Sequence, residues 1–333
     1  MRRVAVLGAG SWGTAFAAVL ADAGNEVRLW ARRPELAREV QEARVNMAYL
    51  PDLQLPQEIT VTSDAQEALA GADVVVLAVP SQRLREHLQG WADLIPDDAV
   101  VVSLSKGVEL GTQLRMTQVI EQVTGVPSQR IAVVSGPNLA REIAAKQPAA
   151  SVVASRSAAT AELVAEVCTT PYFRLYTDTD VVGCELGGAT KNVVAVAVGI
   201  AEGLGFGDNT KATIITRGLA ETVRLGVALG AQAQTFSGLA GVGDLIATCM
   251  SPLSRNHRVG VALGRGETLE SFVASTNQTA EGVASCESIL ALAADVGVDM
   301  PICEAVVAVV HDGQQPALIG DALMARERKP EKT

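Results

Sequence analysis

Between Arg2 and Thr177 the chain alternates short β-branched runs with amphipathic stretches: RRVAVLG, TAFAAVLADAG, EVRLWA, and later ADVVVLAVP, AVVVSLS, RIAVVSG, ASVVASR and YFRLYT. That rhythm is the mark of parallel strands joined by crossover helices. Val74 to Val79 is apolar without alternation, as expected where helices cover both faces of a sheet. The expected fold is therefore α/β over residues 1–178, with a doubly wound, mostly parallel sheet. After Asp178 the pattern turns to helical period, predicting an all-α part over 179–333. Its first helix is buried and runs from Val181 to about Leu204, and a second runs from about Asn209 to Leu229. Shorter helices follow, punctuated at GLAGVGD, MSPLS, GRGE and DMP. Asn46 to Pro56, with two prolines and weak periodicity, reads as a long loop.

A chain of 333 residues exceeds one ordinary core, which agrees with two domains. Although 48% of residues are hydrophobic, none of the apolar runs reaches about 18 residues, so no membrane span is expected. In MRRVAVLGAG the glycines arrive too early for a signal peptide, which makes a cytoplasmic location the expectation. Five scattered cysteines without a CxxC pair, and three histidines without HExxH spacing, give no reason to expect a metal. A formal charge of -10 speaks against nucleic acid as a partner, and 3% aromatics are too few for a base-stacking platform. An anionic ligand must then be held by a local cationic cluster. The ending RERKPEKT reads as a charged, frayed tail.

GAGSWG, with Gly8, Gly10 and Gly13 in GxGxxG spacing, follows the first strand and opens the first helix. One glycine makes the tight turn, the next admits a pyrophosphate, the third lets helix and strand pack, and the helix N-terminus supplies amides to phosphate. This context identifies a Rossmann-type dinucleotide site. An acidic residue about 20 residues further on would select NAD, but here Arg32 and Arg33 stand at the end of the second strand. They suit a 2′-phosphate, or are simply solvated, so NADP(H), NAD(H) or both remain open as cofactors.

In ELGGATKNVVAVAVGI, Lys191 lies inside an almost unbroken apolar run. A lysine beside apolar surface usually packs its stem and sends its head to water. An ammonium that stays buried must find a partner or lose its proton.

GAGSWGTAFA, LAVPSQ, SKGVE, SGPNLAREIA, ELGGATKNVVAVAVGIAEGLGFGDNTKATIITRGLAE, GLAGVGDLIATC and SRNHRVG together resemble bacterial NAD(P)-dependent glycerol-3-phosphate dehydrogenases, from about Val4 to about Glu304. That resemblance implies hydride transfer between a nicotinamide cofactor and the pair dihydroxyacetone phosphate and sn-glycerol 3-phosphate, feeding glycerophospholipid synthesis. It also implies a homodimer. Lys191 matches the family's proton donor and acceptor, Asp244 the residue that orients it, and Lys106 a lysine reaching both substrate and cofactor. The apolar walls from Val193 to Val198 would disfavour the charged amine, the usual route to a lysine acid-base catalyst.

Substrate contacts implied in the same way are Gly136, Asn138, Asn192, Thr248, Ser254, Arg255 and Asn256. Taken bare, Ser254–Asn256 is a helix cap with an exposed arginine. The implied cofactor contacts are Gly8, Gly10, Ser11, Trp12, Gly13, Arg32, Arg33, Lys106, Ala140, Arg255, Thr279 and Glu281. Asn138 stands where family members commonly have a small hydroxyl residue, and Thr279 where they often have valine. Two other readings stay open: a reductase of another small keto or hydroxy acid, and a non-catalytic dinucleotide sensor. The first has little use for Ser254, Arg255 and Asn256, the second none for Lys191 beside Asp244.

Overall fold

The computed structural model describes residues 1–274 and 280–317; Thr279 and the tail RERKPEKT lie outside the described residues. The first part comprises β1 (Arg3–Leu7), α1 (Ser11–Asp22), β2 (Glu26–Trp30), α2 (Pro34–Ala43), β3 (Val45–Asn46), β4 (Leu50–Gln54), β5 (Ile59–Thr62), α3 (Ala65–Leu69), β6 (Val74–Leu77), α4 (Leu84–Trp91), β7 (Val100–Ser103), α5 (Met116–Thr124), β8 (Ile131–Ser135), α6 (Ala140–Ala144), β9 (Ala149–Ser155), α7 (Ala158–Cys168) and β10 (Phe173–Asp178). Eight strands form one sheet in the order β10-β9-β8-β7-β6-β1-β2-β5. Strand order reverses between β1 and β6, so their carboxyl ends open a crevice of the kind that binds ligands in doubly wound sheets. Every pair is parallel except β8 with β9. The chain returns beside β8 after only the five-residue α6, too little for a crossover to a parallel neighbour.

The stretch expected as a long loop instead holds the ribbon β3–β4. Leu50, Leu53 and Leu55 are buried against the first core, and that burial organises a segment whose local signals are poor. Pro51 is exposed on this two-stranded ribbon, where a missing N–H costs little.

The second part is helical: α8 (Val181–Gly203), α9 (Asp208–Ala228), α10 (Asp244–Met250), α11 (Arg255–Gly264), α12 (Leu269–Ala274), α13 (Glu281–Asp295) and α14 (Pro301–Val310). Asp180 caps α8 by accepting from the Gly183 amide. This helix is long and apolar enough to cross a membrane by composition, but most of it is buried inside the protein, as befits a central strut hydrophobic nearly all round.

α8 and α11 approach through glycines on both sides. A Cβ on Gly199 would fall 2.2 Å from the His257 carbonyl oxygen, and one on Gly260 2.2 Å from that of Val196. One turn on, Gly203 and Gly264 repeat the contact at 2.4 and 2.3 Å from the carbonyls of Val261 and Ile200. No side chain of any size fits that crossing.

The sheet part is tied to the helices at several places, of which two bear on the site. Glu185 accepts from the Thr117 amide and hydroxyl (2.8 and 2.7 Å) and pairs with Arg115. Val108, on the segment leaving β7, is wholly buried in the helical core beside Leu186 and Ile289, and its carbonyl accepts from the Ser288 hydroxyl at 2.7 Å. Lys106, two residues before Val108, is thereby carried to the seam between sheet and helices.

Candidate active site

A cleft of about 690 Å³ runs from the glycine turn after β1, past the ends of β2 and β6, to the seam where Lys106, Lys191 and Ser254–Asn256 meet. At its first end the three glycines divide their work by sterics. Gly8 has φ +129°, and a Cβ there would lie 2.4 Å from the Ala78 carbonyl oxygen; one on Gly13 would lie 1.9 Å from that of Gly8. A Cβ on Gly10 would meet nothing within 4 Å among the described residues beyond its own chain neighbours. The middle position is therefore open to a ligand while the outer two hold the turn closed. Gly10 provides no side-chain cap for α1, so the leading amides of this helix stay available for phosphate. These residues fit the pyrophosphate of a dinucleotide.

Ser11, Trp12, Arg32, Arg33 and Ala140 all line the same cleft. The Ser11 hydroxyl is spent on the Tyr49 carbonyl at 2.9 Å, which leaves its backbone as the group facing a ligand. Trp12 packs against Phe16 and Phe173, and its Nε1 is buried without a partner. Arg32 and Arg33 are exposed where β2 gives out. Two supports were not expected from sequence: Asn46 donates to the Ala9 carbonyl and the Thr14 hydroxyl, both at 2.9 Å, and Tyr49 receives the Ser11 bond. The ribbon β3–β4 thus braces the glycine turn. A lone asparagine in an otherwise apolar register was the only hint.

At the other end two ammoniums share one carboxylate. Lys191 Nζ lies 2.8 Å from Asp244 Oδ1 and 2.5 Å from the Thr248 hydroxyl, while Lys106 Nζ lies 2.7 Å from Asp244 Oδ2. Lys191 is 7% exposed and Asp244 1%, so the lysine does not reach bulk water. Burial on its own would raise the Asp244 carboxyl; the charges of Lys106 and Lys191 outweigh it and hold the group below its ordinary value. Burial lowers the Lys106 ammonium to about 8, with Asp244 opposing that shift and Lys191 adding to it. Asp244 is also the first residue of α10, so its helix-start position and its pairing coexist. It stands behind the two amines and not on the cleft wall.

Lys106 also donates to the Gly136 carbonyl at 3.1 Å and to Asn138 Oδ1 at 2.9 Å. Gly136, expected to touch substrate, is not part of the cleft wall. With φ +135° and a virtual Cβ 2.9 Å from Ser151 Cα, it is glycine because β9 passes so close, and it serves the site through its carbonyl. Asn138 does line the cleft, with its Nδ2 buried and unpartnered, a donor in want of an acceptor.

Asn192 and Asn256 are turned towards each other: Asn256 Nδ2 donates to Asn192 Oδ1 at 2.9 Å, and Asn256 Oδ1 accepts from the Gly282 amide at 2.9 Å. Both line the cleft, but the Asn256 amide is committed to joining α8, α11 and α13. Ser254 caps α11 by accepting from the His257 amide, which leaves its own O–H to donate into the cleft. Arg255 begins α11 and is open to the cleft yet crowded by protein. Desolvation lowers its guanidinium from its ordinary value, with Glu281 opposing. Glu281 accepts from the Ser81 amide at 3.1 Å and from the Ser81 hydroxyl. Burial raises its carboxyl, and the Ser81 bonds and Arg255 pull the other way. Ser81 was not foreseen, since only the folded chain brings it to Glu281 across 200 positions. Among the described residues no grouping of His, Cys, Asp and Glu could hold a metal.

Residues 3–161 match the family model described as the NAD-dependent glycerol-3-phosphate dehydrogenase N-terminus, and 180–320 the one described as its C-terminus. The chain is 60% identical over 330 residues to a glycerol-3-phosphate dehydrogenase [NAD(P)+] of Streptomyces avermitilis, covering 99% of this chain and 98% of the relative. It is 63% identical over 331 residues to the Frankia casuarinae protein of the same name, with the same coverage. Among solved structures, glycerol-3-phosphate dehydrogenase from Coxiella burnetii superposes with a TM-score of 0.93 at 36% identity, covering 98% of this chain and 99% of that one. With both halves matched in order on either side of the lysine-bearing cleft, the chain belongs to the NAD-dependent glycerol-3-phosphate dehydrogenase family.

Proposed function

We propose that this protein reduces dihydroxyacetone phosphate to sn-glycerol 3-phosphate with NAD(P)H, residues 1–178 binding the cofactor and 179–333 most of the substrate. The bound cofactor supplies a hydride to the central carbon of the ketone. The protein must then provide a proton for the oxygen, offset the negative charge growing there, and hold the phosphate at a fixed reach.

Lys191 gives the proton. Before the transfer Lys191, Lys106 and Asp244 together carry one net positive charge; afterwards they carry none, and Lys106 keeps its proton against Asp244. One carboxylate serves both amines as counter-charge, and burial lowers the Lys106 ammonium to about 8, near working pH. Lys106 and the free Nδ2 of Asn138 approach the substrate from the sheet side, Thr248 keeps Lys191 aimed, and Asn192 and Asn256 hold their helices in register. The start of α11, with the Ser254 hydroxyl and the planar fork of Arg255, receives the phosphate dianion. Glu281, fixed by Ser81, is placed for the nicotinamide amide.

The observation that carries this reading is the shared carboxylate between two buried lysines, facing an arginine at a helix start across one cleft. The test follows cofactor absorbance with dihydroxyacetone phosphate and with dihydroxyacetone. Reduction should depend on the phosphate, and Arg255→Ala should raise KM for the phosphorylated ketone about 10²-fold, the worth of a charge-assisted contact. Equal turnover of the two ketones would instead favour a reductase of another keto compound.

The enzyme is further expected to act in the cytoplasm as a homodimer, supplying glycerol 3-phosphate for glycerophospholipids. The helical part exposes Phe206, Val227, Ile246 and Met250, apolar groups suited to pairing. Sedimentation should show two chains per particle, and a single chain at micromolar concentration would refute the pairing.

A further inference from the structure

Beyond Arg32 and Arg33 the cleft wall contains two further basic side chains: Arg83, just before α4, and His87, on its first turn. Both follow β6, on the far side of β1 from β2, so the cleft is lined by basic groups from two separate crossovers. We propose that Arg83 and His87, with Arg32 and Arg33, form the subsite for the 2′-phosphate of an adenosine cofactor, so that preference for NADPH is set by α4 as well as by the end of β2. The proposal rests on the reading that the cleft takes a dinucleotide.

His87 is held in place by ring contacts. It stacks on Trp91 with centroids 4.9 Å apart and planes 9° apart, and meets the edge of Trp30 at 5.8 Å. Trp30 closes β2 two residues before Arg32, so the imidazole is fixed beside the position where cofactor selection falls in such folds. Among the described residues the Arg83 side chain pairs with Glu86 at 3.1 Å, both exposed, a weak tie that a dianion can displace.

Among the charged groups acting on His87, Glu86 and Arg83 come from its own segment and Arg32 from the end of β2. Burial lowers the imidazole from its ordinary value, Glu86 opposes this, and Arg32 and Arg83 add to it. The free protein thus holds a neutral histidine among arginines. A phosphate dianion placed between them reverses that balance and draws a proton onto the ring. Proton uptake by His87 should accordingly strengthen binding of a 2′-phosphorylated ligand as pH falls, against the weakening that protonation of the phosphate itself brings.

The test is titration of the full-length protein with 2′,5′-ADP, 5′-AMP, NADPH and NADH, followed by tryptophan fluorescence or calorimetry, for wild type, His87→Gln and Arg83→Gln. Each variant should weaken 2′,5′-ADP and NADPH about five-fold and leave 5′-AMP and NADH within about two-fold. His87→Gln should also remove the extra pH dependence, whereas Arg83→Gln should keep part of it. Equal weakening of phosphorylated and unphosphorylated ligands would make His87 a shelf for the adenine ring and overturn the proposal; so would no change in either. A failure of the dehydrogenase reading would show as absent turnover in every protein, leaving the ligand titrations interpretable.

Discussion

Lys191→Met is expected to lower kcat for dihydroxyacetone phosphate reduction by about 10³-fold, within the usual range for loss of a general acid. NADPH affinity should stay within about two-fold of wild type, because Lys191 lies at the substrate end of the cleft, away from the glycine turn. Methionine keeps a straight apolar stem at this buried position, and Asp244 retains Lys106 at 2.7 Å and Thr248 at 3.2 Å. The variant should therefore fold as well as wild type, removing a buried charge without stranding its partner. Stopped-flow measurement of hydride transfer separates this from slow product release. If the variant transfers hydride within ten-fold of the wild-type rate, Lys191 is not the acid and Lys106 takes its place.

Asp244→Asn should do more general damage. It leaves two largely buried ammoniums without their shared counter-charge, and breaking a buried ion pair in this way costs about 3–5 kcal/mol. Asp244 is the group that holds the Lys106 ammonium up against burial, so without it that value falls below about 8. The sign of the pH effect follows. Between a lowered folded value and the ordinary lysine value the unfolded chain binds more protons than the native one, so stability rises with pH. In wild type that window opens at about 8; in the variant it opens lower. The deficit of the variant should thus be largest near neutral and acidic pH and shrink to a plateau above about pH 8, as read from urea unfolding at roughly pH 6 and 8.5. A deficit that grows with pH would mean that the two lysines do not share this carboxylate as their counter-charge.

Much of this was legible because it is written locally. GAGSWG carries its own turn sterics, the bounds of α8 and α9 follow from apolar period and caps, and Ser254 caps α11 where the triplet SRN said it would. Lys191 announced itself by being a charge in an apolar run. What the sequence hid was relational. The reversed direction of β9 leaves no trace in a strand's composition, and the ribbon β3–β4 exists because three leucines find the core, not because its residues favour strands. Lys106 meets Asp244 across 138 positions, and no periodicity reports such a meeting. Gly136 takes its positive φ where β9 passes close, a constraint that no local pattern reports.

The glycine crossing of α8 and α11 bears on what the enzyme can accept. α8 carries Lys191 and α11 begins at Arg255, and at Gly199–Gly260 and Gly203–Gly264 the two rods touch main chain to main chain, so their spacing there has no rotamer to adjust. Such a spacing is a gauge of substrate length. On the proposed reading a ketone phosphate one carbon longer would satisfy either its oxygen or its phosphate but not both, because the main-chain contact and the Asn192–Asn256 bond together fix the spacing of the rods.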